Sequence, residues 1–450
     1  MAQRESPRRI LLVNNHASLG DLHPFMGMAR ALQAAGHEVT VGTSRTLMAR
    51  VRAAGLHAAE IGPSLDPSDP ALMEGLVDAL LDRRHGPARL HREFIFPAME
   101  RCLDETLPFA RRSSLIVGGV MSYFLQTAAE LAGIPWGRAI LSPLLYWSAF
   151  DAPEVPAMPF LGAMRRAGPR AYATMLRGVF ALAGLSAGPL HAMRRARGLA
   201  PGPNPFQAEG RNAPDLNLAL FSRHFAPAQP DWPTPCAQPG FLRYDGPSVA
   251  GEGIDAALEG FLGAGAPPVL LTLGTGASVF RPGALYAWFA RCIARMPGLR
   301  GVLLVGAHAA DEMRARHASD RLFVAGYAPY GALMPRCAAV IHQGGIGTTA
   351  RALAAGVPSV VVGHANDQLD NGRHLARAGA GFVLPLRTLD ADGLADAIVR
   401  VASTPSLRRE AARMGTLLRS EDADAALVRA VEHCLARRAP APAPSSRVRP

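Results

Sequence analysis

The sequence predicts an α/β protein made of two successive domains, each a parallel sheet covered by helices. Three observations predict it. A strand–loop–helix–strand pattern opens the chain at Arg9, and a second run of short apolar strands separated by helical stretches starts near Pro268. Between them, residues 226–265 are dominated by Pro and Gly, as in APAQPDWPTPCAQPG and GAGAPP. At 450 residues the chain is too long for one ordinary core, and 49% hydrophobic against 18% charged residues excludes a disordered one.

The opening unit reads element by element. Arg9–Asn14 (RILLVN) is a short apolar run, expected as a buried parallel strand. A loop, Asn15–His23, carries Gly20 and Asp21, and Pro24 stands where the first turn of a helix tolerates it. Phe25, Met28, Ala29 and Leu32 share one helical face, Gly36 ends the helix, and Glu38–Thr43 alternates as a second strand. Ser114–Gly118 is a further strand, before a helical stretch over Ser122–Ala132.

Residues 140–212 differ. Aromatic residues (Tyr146, Trp147, Phe150, Phe160, Tyr172, Phe180) mix with Pro, Gly and arginines such as Arg165, Arg166 and Arg170. This is an irregular, partly helical insertion: either ordinary surface helices, or a greasy basic lid for an apolar acceptor that touches a membrane. In the second half, Pro268–Leu273, Gly301–Val305, Leu322–Ala325, Ala338–His342 and Ser359–Val362 read as strands, and 391–437 reads as helical. The expected organisation is an N-terminal domain over 1–235, a linker over 236–265, a C-terminal domain over 266–438 and a disordered Pro/Ala/Ser-rich tail over 439–450.

The formal net charge of +11 is carried by single and paired arginines, with no long basic run. Phosphate-bearing small molecules or an anionic membrane surface suit that pattern as well as nucleic acid does. Ile10–Val13 offers four apolar residues where a secretory segment needs roughly 7–15. No uninterrupted run reaches the roughly 18 residues of a spanning helix, Val179–Leu190 being the nearest. The expected location is cytoplasmic, with any membrane contact peripheral. Cys102, Cys236, Cys292, Cys337 and Cys434 are odd in number and form no C-x-x-C pair, so free thiols are expected.

The densest chemical signal is Ala339–Thr349, AVIHQGGIGTT. An apolar strand ends at His342, a glycine turn follows, and a helix starts near Thr348. Glycines let backbone N–H groups approach an anion, the helix start adds partial positive charge, and the hydroxyls of Thr348 and Thr349 can donate. The segment lacks the G-K-[ST] of a phosphate-binding Walker loop. Asp367 and Gln368, shortly after the strand SVVV, suit sugar hydroxyls, or are polar loop residues. Tyr327, in Tyr327–Ala328–Pro329, can stack on a nucleobase or pack in a core.

Taken together and in this order, HQGGIGTT, ARALAAGVPSVVV and DQLDN resemble the C-terminal signature of the nucleotide-sugar glycosyltransferases of the UDP-glycosyltransferase superfamily. The opening elements ending in AAGHEVTVGTS resemble its N-terminal motif, so the resemblance runs from Arg9 to Arg429. The loop with Gly20, Asp21 and Pro24, the FSRHFAPAQPDWP…GFLRYDG stretch and YAPYGALMPRCAAVIHQGGIG look like the bacterial branch containing the rhamnosyltransferase of rhamnolipid synthesis.

The resemblance implies the GT-B fold, two Rossmann-like domains facing a central cleft. The N-terminal domain would bind acceptor, the C-terminal domain nucleotide sugar, and the last helix would cross back. It implies that His342 and the backbone of Gly344, Gly345, Gly347, Thr348 and Thr349 hold the donor diphosphate. Asp367 and Gln368 would hold donor sugar hydroxyls, Tyr327 and Ala328 would lie by the base, and Ser278 would reach a phosphate. Many members carry Trp where Tyr327 stands, and Asn371 also matches the pattern.

The implied reaction is transfer of a hexose, with inversion, to a hydroxyl of a hydrophobic acceptor. The specific candidates are rhamnose from dTDP-rhamnose and a hydroxy-fatty-acid lipid, with a macrolide-, polyketide- or sterol-like natural product as the alternative. No metal or other cofactor is expected, nor nucleic acid. The glycine turn and His342 would supply positive potential to the leaving diphosphate. Asp21 is the only acid of the first loop and the candidate base, with His16 and His23 as rivals and a helix-capping role as the bland reading. A sugar-nucleotide epimerase and a non-catalytic glycosyltransferase partner share the fold. The first needs no acceptor pocket, and the second does not need an intact Asp21 and Asp367–Gln368 pair.

Overall fold

The computed structural model describes residues 7–15, 19–63, 70–82, 85–155, 158, 160–242, 244, 253–274, 283–306 and 309–438. Two all-parallel sheets organise them. The first contains β1 (Arg9–Asn14), β2 (Glu38–Thr43), β3 (His57–Glu60), β4 (Leu115–Gly119), β5 (Trp136–Ile140), β6 (Leu216–Ala219) and β7 (Cys236–Ala237), in the order β3-β2-β1-β4-β5-β6-β7. The second contains β8 (Val269–Thr272), β9 (Gly301–Leu304), β10 (Leu322–Ala325), β11 (Ala339–His342), β12 (Ser359–Gly363) and β13 (Gly381–Pro385), in the order β10-β9-β8-β11-β12-β13.

These are the two Rossmann-like halves of a GT-B fold. Each sheet reverses direction of travel between its first and fourth strands, and the loops that diverge there leave a crevice beyond the carboxyl ends. In the first half that crevice lies where β1 is flanked by β4, Ile10 pairing with Leu115. In the second it lies where β8 is flanked by β11, Thr272 pairing with His342. Helices cover both faces, so the strands must be apolar on both sides. Ile10–Asn14 are all buried, as are all four residues of β8 and of β11.

The helices that position the site are α1 (Leu19–Ala34), α2 (Pro169–Gly184), α3 (Gly188–Ala196), α4 (Ala256–Gly263), α5 (Ile346–Ala355), α6 (Gln368–Arg377), α7 (Pro405–Ser420) and α8 (Ala423–Arg438). The buried face of α1 includes Phe25, Met28, Ala29 and Leu32. α1 includes Leu19, so Gly20 and Asp21 lie in a helical turn rather than a loop, and Pro24 stands inside the helix. The expected loop over Asn15–His23 is therefore shorter. Proline removes one internal hydrogen bond here, and the deeply buried face on both sides of it keeps the helix continuous.

The connection between the sheets is also narrower than 236–265. Cys236–Ala237 pairs with β6 in the first sheet. α4 buries Leu258 and Leu262 in the core of the second, under an Asp255 cap that accepts from the Leu258 N–H. After the second sheet, α7 packs on α5, and α8 returns to α1. Leu427, Val431, Cys434 and Leu435 join the core formed by Leu22, Phe25, Val39 and Val41. Fully burying each aliphatic side chain of α8 stabilises by about 1.5–3 kcal/mol, so the last helix ties the halves together.

The 140–212 stretch is helical, as a short turn over Pro143–Tyr146, Phe160–Met164, α2 and α3. Several of its aromatic rings are core rather than pocket lining. Tyr146 stacks on Trp232 with centroids 4.1 Å apart, and Tyr172 is fully buried. All five cysteines are free thiols.

Candidate active site between the two sheets

The glycine turn after β11 takes its shape from side-chain volume. Gly344 has φ +91°, and a Cβ there would stand 2.6 Å from the Val361 side chain and 2.7 Å from the Gln368 carbonyl oxygen. Only glycine fits. The Gly344 N–H donates to Nδ1 of His342 at 3.1 Å, which puts the imidazole proton on Nε2. His342 is wholly buried, and burial pulls its pKa from 6.5 to about 3. The ring is therefore neutral at physiological pH. His342 supplies a directed N–H and no positive charge, a correction to the expectation from sequence. That Nε2–H has no partner among the described residues. The Oε1 of the next residue, Gln343, is also unpartnered among the described residues.

α5 starts from Gly345 with no side chain capping it, so its first N–H groups lack the usual internal acceptor. Gly347 is exposed, with open space where a Cβ would stand. The two threonines divide. The Thr349 hydroxyl donates to the Gly345 carbonyl at 3.0 Å and its N–H binds the same oxygen, so both its donors serve the helix. Thr349 is fully buried, and its hydroxyl is committed to that carbonyl. The Thr348 hydroxyl meets the Tyr330 phenol, which also bonds Thr272 at 2.8 Å and ties the ends of β8 and α5 together.

Asp367 and Gln368 open α6 directly across this turn. Oε1 of Gln368 accepts from the N–H groups of His364 at 2.9 Å and Ala365 at 3.2 Å. Its carbonyl is thus spent on the loop, and only its NH2 can serve a ligand. Asn371, fully buried, donates to the Gly344 carbonyl and to Oδ2 of Asp367, both at 2.9 Å, and accepts from the Ser142 hydroxyl at 3.0 Å. One carboxamide thereby joins the glycine turn, the acid of α6 and the loop after β5 of the other half.

Asp367 is partly exposed, yet protein surrounds its carboxyl closely enough to push its pKa from 3.8 to about 6. Desolvation is the main cause. The negative charge of Asp21 adds to it, and hydrogen bonds from Asn371 and Ser142 oppose it. Asp21, on α1 of the first half, thus lies near enough to Asp367, at the start of α6 in the second, for its charge to act on that carboxyl. Asn15, one residue past β1, accepts from the Ser122 hydroxyl.

Tyr327 is 52% exposed, so core packing is not its role. Ala328 is buried against Leu258, Leu262 and Leu270, which leaves its backbone alone for a ligand. Ser278 and His16 lie outside the described residues. Among the described residues no group of three or more His, Cys, Asp or Glu side chains is placed to hold a metal.

A second set of contacts, not visible in the sequence, fixes α6 against the first half. Asp151 accepts from Arg377 at 2.7 and 2.8 Å and pairs with Arg373 at 3.0 Å. Burial works to raise the Asp151 carboxyl, but the arginines and His374 outweigh it and hold it below its ordinary value. Asp370, buried on the same helix, accepts from the Glu154 N–H at 2.9 Å.

The Erythromycin biosynthesis protein CIII-like C-terminal-domain family model matches residues 298–433. The chain is 31% identical over 419 residues to O-mycaminosyltylonolide 6-deoxyallosyltransferase of Streptomyces fradiae, covering 90% of this chain and 92% of that one. It is 27% identical over 439 residues to aklavinone 7-beta-L-rhodosaminyltransferase of Streptomyces galilaeus, covering 91% and 92%. Among solved structures, the glycotransferase of kitacinnamycin superposes with a TM-score of 0.69 at 21% identity, over 95% of this chain and 99% of that one. The chain belongs to the GT-B glycosyltransferase family of these bacterial natural-product enzymes, and it is a nucleotide-sugar-dependent glycosyltransferase. The narrower affiliation with the rhamnolipid branch finds no support among these relatives.

Proposed function

We propose that the enzyme transfers a 6-deoxyhexosyl group from a nucleoside-diphosphate sugar to a hydroxyl of an apolar, polyketide-like aglycone, with inversion. The observation that carries this reading is the electrostatic coupling of Asp21 and Asp367, one carboxylate from each half. Asp21 takes the proton of the acceptor hydroxyl as its oxygen bonds to the anomeric carbon. The bond from that carbon to the diphosphate breaks on the opposite face, and the electron pair leaves with the diphosphate. The Nε2–H of His342 and the open N–H groups of α5 receive it. Asp367 accepts from donor sugar hydroxyls, the Gln368 NH2 donates to them, and Tyr327 stacks on the base.

The acceptor class rests on the relatives, whose names are those of transferases acting on O-mycaminosyltylonolide, aklavinone and erythronolide. A hydroxy-fatty-acid lipid glycosylated from dTDP-rhamnose is the second reading. It is favoured by the exposed, apolar and arginine-bearing surface of α2 and α3. The test is product formation by mass spectrometry over a grid of donors, including dTDP-rhamnose and UDP-glucose, and acceptors. The acceptors include a macrolactone, an anthracyclinone and a hydroxy-fatty-acid dimer. Glycosylation of a polyketide aglycone is expected, with inverted anomeric configuration by NMR. Transfer to the lipid alone selects the second reading, and a retained configuration refutes the mechanism.

A further inference from the structure

The chain's charge is unevenly placed. Between Glu154 and Glu209 there are seven arginines and no aspartate or glutamate, although the net charge of the whole chain is only +11. Two of the seven are neutralised within the fold, Arg194 by Glu130 at 2.7 Å and Arg197 by Asp104 at 2.6 Å. Arg166, Arg170, Arg177 and Arg195 are exposed and pair with no carboxylate among the described residues.

The same segment carries the two most exposed large hydrophobic side chains among the described residues, Leu182 at 71% and Leu185 at 82%. Arg170, Thr174, Arg177, Ala181 and Leu185 follow one another three or four residues apart, as on one helical face, with Leu182 next to them, and all six are exposed. The opposite face is anchored. Tyr172 and Leu176 pack with Leu161, and Leu190 and Met193 pack with Phe124.

Pro169–Ala196 is long and apolar enough to cross a membrane, which exceeds the Val179–Leu190 run read from sequence. Its buried inner face and the pairing of buried Arg194 with Glu130 hold it along the protein instead. An apolar tip flanked by unpaired arginines is the composition of a helix that lies in a lipid headgroup layer, with leucines dipping below the phosphates and arginines reaching them. A second copy of the chain fits poorly. A two-fold contact would set this face against itself, arginine against arginine.

We propose that the exposed face of α2 and α3 is a peripheral docking surface for anionic phospholipid bilayers, with Leu182 and Leu185 inserting and Arg166, Arg170, Arg177 and Arg195 contacting headgroup phosphates. The surface is independent of acceptor identity, because binding to vesicles is read without donor or acceptor.

The test is co-flotation of the full chain with phosphatidylcholine vesicles, and with vesicles containing about one-third phosphatidylglycerol. The wild-type protein should float with the anionic vesicles and bind at least tenfold less with salt raised from about 0.1 to 0.5 M. Each arginine near an anionic surface is worth about a fivefold factor in partition, so Arg170→Gln with Arg177→Gln should lower binding roughly 25-fold. Leu182→Ser with Leu185→Ser should lower it on both vesicle types. All four positions are exposed, so both variants should keep the wild-type melting temperature. The proposal fails if the wild-type protein shows no preference for anionic vesicles, or if both variants bind as it does. It also fails if polyglutamate binds this face while vesicles do not, which would make it a surface for acidic protein.

Discussion

Acidification should release the donor sugar through one carboxyl. Asp367 titrates near 6 rather than near 3.8, chiefly because protein replaces water around it and secondarily because the charge of Asp21 acts on it. Its ionised fraction therefore falls from about nine-tenths at pH 7 to about one-tenth at pH 5. If the ionised form accepts from sugar hydroxyls, the dissociation constant of the intact nucleotide sugar should rise about tenfold over that interval. Asp367→Asn should bind less tightly at pH 7 but lose this acid limb, since an amide does not titrate. His342, with its pKa near 3, contributes nothing across the same range.

The same shift predicts the sign of a stability effect. A carboxyl whose folded-state pKa lies above its unfolded value binds more protons when folded, so its contribution is greatest at low pH. That contribution declines as pH rises from about 4 to about 6, by up to about 3 kcal/mol. Calorimetric titration of wild-type protein and Asp367→Asn between pH 5 and 7.5 reads the binding limb, and urea unfolding reads the stability. Equal pH slopes of donor affinity in the two proteins would refute the role given to Asp367.

Three further outcomes follow from the same geometry. Asp21→Asn should cut turnover roughly 10²–10⁴-fold with donor affinity at pH 7 almost unchanged, and should move the acid limb of donor binding to lower pH by removing that charge. Near-normal turnover in that variant, with loss in His16→Ala or His23→Ala, would give the base role to a histidine. If the unpartnered N–H of His342 receives the diphosphate as proposed, His342→Ala should weaken free nucleoside diphosphate and intact donor alike, by about 1.5–3 kcal/mol in calorimetry. A loss confined to the intact donor would argue against that assignment. Asn371→Ala strands the Gly344 carbonyl and an Asp367 oxygen and should cost about 2–4 kcal/mol in urea unfolding, whereas Ser142→Ala should cost about 1 kcal/mol. Similar stability losses in the two variants would contradict the picture of one carboxamide joining three elements.

Much of the fold is legible in the sequence because it is locally encoded. β1, β2 and β10 carry uninterrupted or alternating apolar residues, and they occupy the ranges their patterns predict. β5 escapes such a reading because its centre is an arginine. Arg138 is buried in WGRAI, donates to the Gly119 and Arg211 carbonyls and lies over the Trp136 ring at 4.8 Å. A charge in mid-strand defeats any apolar pattern until the carbonyls that satisfy it are known. β3 (HAAE) and β6 (LNLA) are too short and mixed to stand out. The start of α1 lies earlier than its pattern predicts because Pro24 signals a first turn, whereas the buried face on both sides of it overrides the signal.

By itself the sequence determined β1, β2, β4 and β8 to β12, the glycine turn and the acid–amide pair at the start of α6, because these depend on residues adjacent in the chain. Tertiary structure alone decided the chemistry each group can perform. His342 is neutral because its surroundings exclude water, and Thr349 is withdrawn from the site because its hydroxyl finds a carbonyl one helical turn back. Asp367 titrates near 6 chiefly because protein packed in three dimensions replaces water around its carboxyl, and secondarily because a helix of the other half brings the charge of Asp21 near it. The Ser142–Asn371 contact joins residues 229 positions apart. Burial and electrostatic coupling depend on what surrounds a side chain in space, and the order of residues along a chain does not state that.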